Sequence, residues 1–319
     1  MWHRNAWQMR CSLHIATSAS PAMLESFYLP MPWDTLKAQW PYAQHSQFIH
    51  TTDVRWHVQM FGEGPPLLLL HGLGSSTHTW RGMAPFLSKH YRLIAVDTPG
   101  HAFSSIPSKA NASFAGITKS LRELLETLHI WPSAVVGHSA GACLAAKLLL
   151  NTPNLPTPSL VALNPAWLPL PGLANWMFPV SAKLIALNPM SAWLFAKHMS
   201  KELVIQKILS STGSQLREDD VFFYRILMQS PAHLKGVLQM MSHWDLGQLP
   251  EQLSQLKGRV LIQASTHDLT IPFGHAVTSH QIINQSQLQP LSDLGHLAHE
   301  EKPQACAEQI LSWLATPTK

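Results

Sequence analysis

The chain has 319 residues, of which 46% are hydrophobic, a size and composition that suit one large domain with a substantial core. Only 13% of the residues are charged and the formal net charge is +4, without the lysine and arginine run that a nucleic-acid-binding protein carries. The three cysteines, Cys11, Cys143 and Cys306, are odd in number and far apart. They indicate neither a disulfide framework nor a zinc site, and they favour a reducing, cytoplasmic environment.

The first 45 residues form an N-terminal extension. Residues 1–20 carry two arginines and no acidic side chain, and they lack the long apolar stretch of a secretory signal peptide. We expect residues 1–45 to be partly disordered, as the ends of a chain often are.

Strand and helix signals alternate over residues 46–164. Residues 48–62 predict two short antiparallel strands, and the apolar runs at 66–72 and 91–97 predict central strands covered on both faces. The alternation continues with a helix at 114–130, a strand at 133–137, a helix at 142–150 and a strand at 159–164.

A wholly helical pattern, rich in tryptophan, methionine and proline, covers residues 165–244. The alternation then returns with a strand at 259–265, a helix at 273–283, a strand at 286–291 and a helix at 303–315. We therefore predict an α/β fold in which residues 46–164 and 245–319 form a mostly parallel sheet with helices on both faces. Because the helical block follows a strand, we expect it to form a lid over the carboxyl ends of the strands, where ligands bind.

The lid overlaps an uncharged stretch, residues 160–182, that is long enough to span a membrane. A spanning helix is not predicted, because four prolines interrupt the stretch: Pro165, Pro169, Pro171 and Pro179. An apolar lid, or a segment that lies on a membrane surface, fits this composition better.

A serine flanked by glycines marks the junction of a strand and a helix. Gly137-His138-Ser139-Ala140-Gly141 has the pattern G-x-S-x-G, in which a sharp turn exposes the serine hydroxyl as a nucleophile. The short pattern is weak by itself, but the apolar strand before it and the helix after it are the context that this turn requires. Ser139 is therefore the candidate nucleophile, against the alternative of an ordinary strand–helix connection.

The nucleophile needs a base, and the base needs an acid that orients it; in this arrangement the chain order is serine, acid, histidine. Asp268 comes just beyond the strand at 259–265, and His296 lies in the loop after the last strand. We predict Asp268 as the acid and His296 as the base, with Asp293 and His299 as weaker rivals for these roles.

Acyl transfer also needs two N–H donors for the negative oxygen of the intermediate. The backbone amide of Ala140, at the start of a helix, is one candidate, and that of Leu73, just after the strand at 66–72, is the other. The Gly-x-Gly at 72–74 is not predicted to bind a dinucleotide, because Thr77 stands where that motif needs a third glycine or alanine.

Together these residues resemble the α/β-hydrolase superfamily over about residues 46–316. The matching segments are His71-Gly72, 97–104, 137–141, Asp268 and 295–303. The resemblance implies the α/β-hydrolase fold, with Ser139, Asp268 and His296 as its catalytic triad. His101 departs from the pattern, since many relatives have glycine there, and we expect it to adjust the loop rather than the triad.

Four further segments are similar to the magnesium-chelatase accessory proteins of bacteriochlorophyll biosynthesis. They are residues 55–81, 163–179, 211–216 and 240–246. This resemblance implies a role in magnesium insertion into protoporphyrin IX, with a porphyrin or a magnesium-chelatase subunit as a partner.

Two functions fit the sequence. The first is a serine hydrolase that acts on an ester-type bond of an apolar small molecule, and the complete triad supports it. The second is a non-catalytic helper that holds a porphyrin or a chelatase subunit, with Trp167, Trp176 and Phe178 as candidate lid contacts. A lid that packs its own core is the alternative for these side chains. Dehalogenase chemistry is disfavoured because the turn carries serine rather than aspartate, and we predict neither a metal site nor a bound cofactor.

Overall fold

A computed structural model describes residues 29–169, 197–199 and 201–316. Within these ranges eight strands form one sheet. They are β1 (Ser46–His50), β2 (Arg55–Phe61), β3 (Pro66–Leu70), β4 (Arg92–Val96), β5 (Ala134–His138), β6 (Ser159–Leu163), β7 (Val260–Ser265) and β8 (Ser286–Leu291). Their order in the sheet is β1-β2-β4-β3-β5-β6-β7-β8.

The α-helices of the described ranges lie mainly between the strands. They are α1 (Trp33–Leu36), α2 (Ala84–Leu87), α3 (Phe114–Thr127), α4 (Ala140–Leu150), α5 (Glu202–Ser210), α6 (Glu218–Gln229), α7 (Pro231–Ser242), α8 (Leu249–Gln252), α9 (Phe273–Ile282), α10 (Ala298–Glu301) and α11 (Pro303–Ala315). None of them combines the length and the apolar character that crossing a membrane requires.

The sheet is antiparallel at one edge and parallel elsewhere. β2 pairs antiparallel with β1 and with β4, and every pairing from β4 to β8 is parallel. The strands predicted from apolar runs are confirmed, because central parallel strands are buried on both faces and therefore read as continuous apolar sequence. The carboxyl ends of β3 to β8 consequently meet at one edge of the sheet.

Alternate side chains of the strands fill two core layers. Leu68 and Leu70 of β3 pack with helices α3 and α4 on one face. Leu67 and Leu69 of the same strand pack on the other face, where α2 and α11 contribute Leu87 and Ile310 among other residues. This period of two places a helix layer on each side of the sheet, as the predicted α/β fold requires.

The described helices of the predicted lid, within residues 201–244, reach the loops at the carboxyl edge. Gly236 of α7 packs against Gly100, which follows β4. The carbonyl of Thr212, after α5, accepts hydrogen bonds from the amides of Leu269 and His296 in the loops that follow β7 and β8. Helices α5 to α7 therefore lie at the edge where the candidate catalytic residues also lie.

The N-terminal segment of residues 29–45 packs against the lid rather than apart from it. Met31 and Trp40 are buried in one apolar cluster with Ile205 and Leu227 of the lid helices. This part of the predicted extension is therefore a component of the folded domain. Residues 1–28 lie outside the described ranges.

Candidate active site

Ser139 occupies a strained turn between β5 and α4. Its backbone has φ 51° and ψ −114°, which is an uncommon conformation for a residue with a Cβ. The two glycines of the motif have no room for a side chain, since a Cβ on Gly137 would lie 2.6 Å from the Cα of Ala142 and one on Gly141 would lie 2.1 Å from the carbonyl oxygen of Leu70. The sequence folds this way because only glycine fits on either side of the turn.

His296 and Asp268 form a buried hydrogen-bonded pair. The distance from His296 Nδ1 to Asp268 Oδ2 is 2.7 Å. The other carboxylate oxygen, Oδ1, accepts the backbone amides of Thr270 at 2.7 Å and Ile271 at 2.8 Å, which fixes the plane of the carboxylate. With its Nδ1–H donated to Asp268, the imidazole presents its Nε2 as the nitrogen that can take a proton.

Three hydrogen bonds fix the backbone of His296. Its carbonyl accepts hydrogen bonds from His138 Nε2 at 2.9 Å and from Asn164 Nδ2 at 2.8 Å, and its amide donates to Thr212. The amide of Ser265 donates to Asn164 Oδ1 at 2.7 Å, so the orientation of the Asn164 side chain is defined. His138 and Asn164 were not among the predicted site residues. Their position was the only indication of a role in the site, since both residues lie at the carboxyl end of a central strand.

The two rival residues have other hydrogen-bond partners. His299 is buried, and its Nε2 lies 2.7 Å from the hydroxyl of Thr79. Burial lowers the pKa of His299 to about 3, so it remains neutral. Asp293 is exposed in a turn, where its own amide donates to Thr266. Of the four candidates, the structure pairs Asp268 with His296.

The two candidate oxyanion donors belong to segments that adjoin Ser139. Ala140 is the first residue of α4, where a backbone amide has no partner within the helix. Leu73 belongs to the loop after β3, and this loop approaches the turn so closely that a Cβ on Gly72 would lie 3.3 Å from the Cβ of Ser139. His71 has a structural role, because its Nδ1 donates to the carbonyl of Gly72 and its Nε2 accepts the amide of Thr98.

Sequence comparison identifies the family. A model of the α/β hydrolase fold matches residues 65–303, about three quarters of the chain. The chain belongs to this family. This α/β hydrolase is also 34% identical over 281 residues to the magnesium-chelatase 30 kDa subunit of Rhodobacter capsulatus, covering 88% of its own length and 98% of the relative. It is therefore a homologue of that subunit, and the resemblance stated from the motifs is confirmed.

Solved structures confirm the predicted fold. The α/β hydrolase superposes on an epoxide hydrolase, CorEH, with a TM-score of 0.70 at 21% identity, covering 85% of this chain and 98% of that one. It matches an esterase from Exiguobacterium antarcticum with the same TM-score of 0.70 at 18% identity, over 85% and 99% of the two chains. At these identities the likeness concerns the fold and not the reaction.

Of the three residues expected to contact a ligand from the lid, the described ranges include Trp167. Trp167 is fully buried in the core, and its indole N–H donates to the carbonyl of Ala142 at 2.9 Å. It therefore packs beneath α4 and does not face a cleft. Trp176 and Phe178 lie outside the described residues.

A buried ionic cluster attaches α6 to the core of this α/β hydrolase. Arg81, after β3, forms an ion pair with Glu300 at 2.9 Å and another with Asp220 of α6. The hydroxyl of Tyr224, also on α6, donates to Glu300 at 2.5 Å. Burial, together with the Glu300 carboxylate, raises the pKa of Tyr224 well above its usual range, so the hydroxyl remains a donor. The cluster joins α6 to the segment after β3 and to helix α10.

Proposed function

We propose that this α/β hydrolase is a serine hydrolase of ester-type bonds, with Ser139 as nucleophile, His296 as base and Asp268 as the orienting acid. The observation that carries the proposal is the 2.7 Å bond between His296 and Asp268 at the sheet edge where Ser139 holds its strained turn. A nucleophile at such a turn and a histidine oriented by a carboxylate are the elements that acyl transfer needs.

In the proposed reaction the Ser139 hydroxyl oxygen attacks the acyl carbon while its proton passes to His296 Nε2. The negative oxygen of the tetrahedral intermediate accepts hydrogen bonds from the amides of Leu73 and Ala140. His296 then gives the proton to the departing alcohol, and a water molecule, activated by the same histidine, releases the acid from Ser139. Asp268 stabilises the imidazolium at both stages.

We place this activity beside magnesium insertion into protoporphyrin IX in bacteriochlorophyll biosynthesis. Support comes from the 98% coverage of a relative named as a magnesium-chelatase subunit. The proposed substrate is an apolar small molecule, such as a porphyrin ester, and the proposed partner is a magnesium-chelatase subunit. The three widely spaced cysteines support a site of action in the reducing cytoplasm, and contact with a membrane surface stays an alternative.

The test is reaction with a fluorophosphonate probe, followed by identification of the labelled peptide. We expect the label on Ser139, and we expect the Ser139→Ala variant to lose hydrolysis of p-nitrophenyl butyrate by roughly 10³–10⁶-fold. Ser254→Ala, at an exposed serine far along the chain, is the matched control and should keep full activity. Unchanged turnover in Ser139→Ala would exclude the catalytic assignment.

The homology favours a second candidate, a non-catalytic helper that holds a porphyrin or a chelatase subunit. Its support is that the relative is named as a subunit of a chelatase rather than as a hydrolase. The Ser139→Ala variant in a pigment-producing host separates the two functions. Pigment output as low as in a deletion strain indicates that hydrolysis is part of the role, whereas normal output indicates a holder.

A further inference from the structure

His233, on the lid helix α7, bridges two loops at the carboxyl edge of the sheet. Its side chain is buried, and its Nδ1 accepts the backbone amide of Ala102 at 3.1 Å. Because a backbone amide can only donate, Nδ1 carries no proton and Nε2 carries one. The Nε2–H therefore donates to the carbonyl of Gly74, at 3.3 Å.

Gly74 directly follows the candidate oxyanion donor Leu73. The loop turns back at this point, since the amide of Ser75 donates to the carbonyl of Gly72 and Gly74 has a positive φ of 76°. The Gly74 carbonyl and the Ser75 amide belong to one planar peptide unit, and the Gly72 carbonyl and the Leu73 amide belong to another. The hydrogen bond from Ser75 to Gly72 joins these two units, so the bond from His233 to Gly74 restrains the direction of the Leu73 amide.

Helix α7 is fixed against the sheet by a second, independent contact. Gly236 lies one turn after His233, on the same face of the helix. A Cβ on Gly236 would lie 1.8 Å from the carbonyl oxygen of Gly100, so the two backbones meet directly. This close approach keeps the His233 side chain at hydrogen-bonding distance from both loops.

The neutral state of His233 is stable under ordinary conditions. Burial, with a contribution from the neighbouring His71, lowers the pKa of His233 to about 4. The imidazole therefore keeps one donor and one acceptor at neutral pH, and both bonds persist.

We propose that His233 is a positioning residue that aligns the Leu73 amide with the oxyanion of the reaction at Ser139. The inference rests on the proposed serine hydrolase function. It makes the lid part of the catalytic apparatus, because displacement of α7 would release the Gly74 carbonyl and turn the Leu73 amide away from the developing charge.

Two matched variants separate the two hydrogen bonds of His233. Asparagine places an amide oxygen near the position of Nδ1, so His233→Asn keeps the acceptor for Ala102 and loses the donor to Gly74. Glutamine places an amide nitrogen near the position of Nε2, so His233→Gln keeps the donor and loses the acceptor.

We expect His233→Asn to lower kcat for p-nitrophenyl butyrate by about 10–10³-fold with KM unchanged, because an oxyanion donor acts in the transition state. The rate of fluorophosphonate labelling at Ser139 should fall in parallel. His233→Gln should stay within about threefold of the parent in both measurements. Equal losses in the two variants, or no loss in either, would overturn the proposal.

A measurement on the unmodified protein does not depend on how the variants fold. The nitrogen-15 spectrum of His233 should show a protonated Nε2 and a bare Nδ1 at neutral pH, and the opposite tautomer would contradict the bond to Gly74. Failure of the proposed function looks different: the unmodified protein would then show neither hydrolysis nor labelling at Ser139, whatever the tautomer of His233.

Discussion

Ser139 holds a backbone conformation that costs free energy for any residue with a Cβ. Strain of this kind amounts to about 1–3 kcal/mol and persists only where the surrounding structure imposes it. The hydrogen bond from the Ser139 amide to the carbonyl of Leu163 and the close packing of Gly137 and Gly141 impose it here. The placement of the hydroxyl at this turn is thus obtained at the expense of stability.

The first prediction compares two variants that both lack the Ser139 hydroxyl. We expect Ser139→Gly to unfold in urea with a free energy about 1–3 kcal/mol higher than Ser139→Ala, because glycine adopts a positive φ without strain. Equal stabilities would mean that the turn is not strained.

The second prediction concerns the acid. Asp268→Asn can still accept the amides of Thr270 and Ile271, but it no longer holds His296 in the required tautomer. We expect kcat for ester hydrolysis to fall by about 10³–10⁴-fold with an intact fold. Asp293→Asn, which changes the exposed rival, is the control and should leave kcat within a factor of about two; a loss of similar size there would contradict the assignment.

Ser139, Asp268 and His296 could be proposed from the sequence because each follows a strand in a recognisable local pattern. It could not predict His138, Asn164 or His233, because their partners come from segments far away along the chain. Trp167 was predicted to contact a ligand, but it lies in the core. An apolar segment has the same composition whether it packs in a core or lines a cleft, and only the bond to Ala142 places this side chain in the core.

At the scale of elements, the strands of the sheet were the most predictable part of the fold. Their burial on both faces makes the apolar runs continuous, and the helices between them show clear spacing. The four-residue helices α1, α2, α8 and α10 had no such signal, because one turn of helix contains too few residues for a period and forms through tertiary packing.

The third prediction tests the close packing of α4 against the sheet. A Cβ on Gly141 would meet the backbone of β3, so Gly141→Ala should lower the free energy of unfolding by about 3 kcal/mol or more. Gly274, in α9, has no atom within 4 Å of such a Cβ. Gly274→Ala should therefore raise the free energy of unfolding by about 0.5–1 kcal/mol, through helix propensity alone. Urea titration of both variants gives the comparison, and a tolerated Gly141→Ala would contradict the close approach.

At the scale of the whole molecule, burial keeps a set of histidines neutral. Their pKa values are lowered from 6.5 in the folded state, chiefly by loss of hydration. The set is His71, His78, His101, His138, His233 and His299. On unfolding below pH 6.5 each regains its ordinary pKa and takes up a proton, so the unfolded state binds more protons and stability falls as the pH falls.

The fourth prediction follows from this proton uptake. His233 and His299, with pKa values near 4 and 3 in the folded state, together lower the free energy of unfolding by about 2–3 kcal/mol between pH 7 and 5.5, and the other four histidines lower it further. Urea unfolding at several pH values measures it. His299→Gln should lower the number of protons taken up on unfolding by one, which reduces the slope of free energy against pH. The exposed His50→Gln variant should leave that slope unchanged. A flat profile over this range would contradict the neutral state of these histidines.

The packing of the N-terminal segment on the lid has a consequence for synthesis of the chain. Trp40 leaves the ribosome long before Ile205 and Leu227, with which it shares an apolar cluster. At about 5–20 residues per second, the interval between Trp40 and Ile205, about 165 residues, is roughly 10–30 seconds. During that time the apolar side chains of the segment lack the part of their native surface that the lid helices supply, which makes the nascent segment a target for chaperones. The residues that emerge first among the described ones thus make some of their buried contacts only after most of the chain has been made.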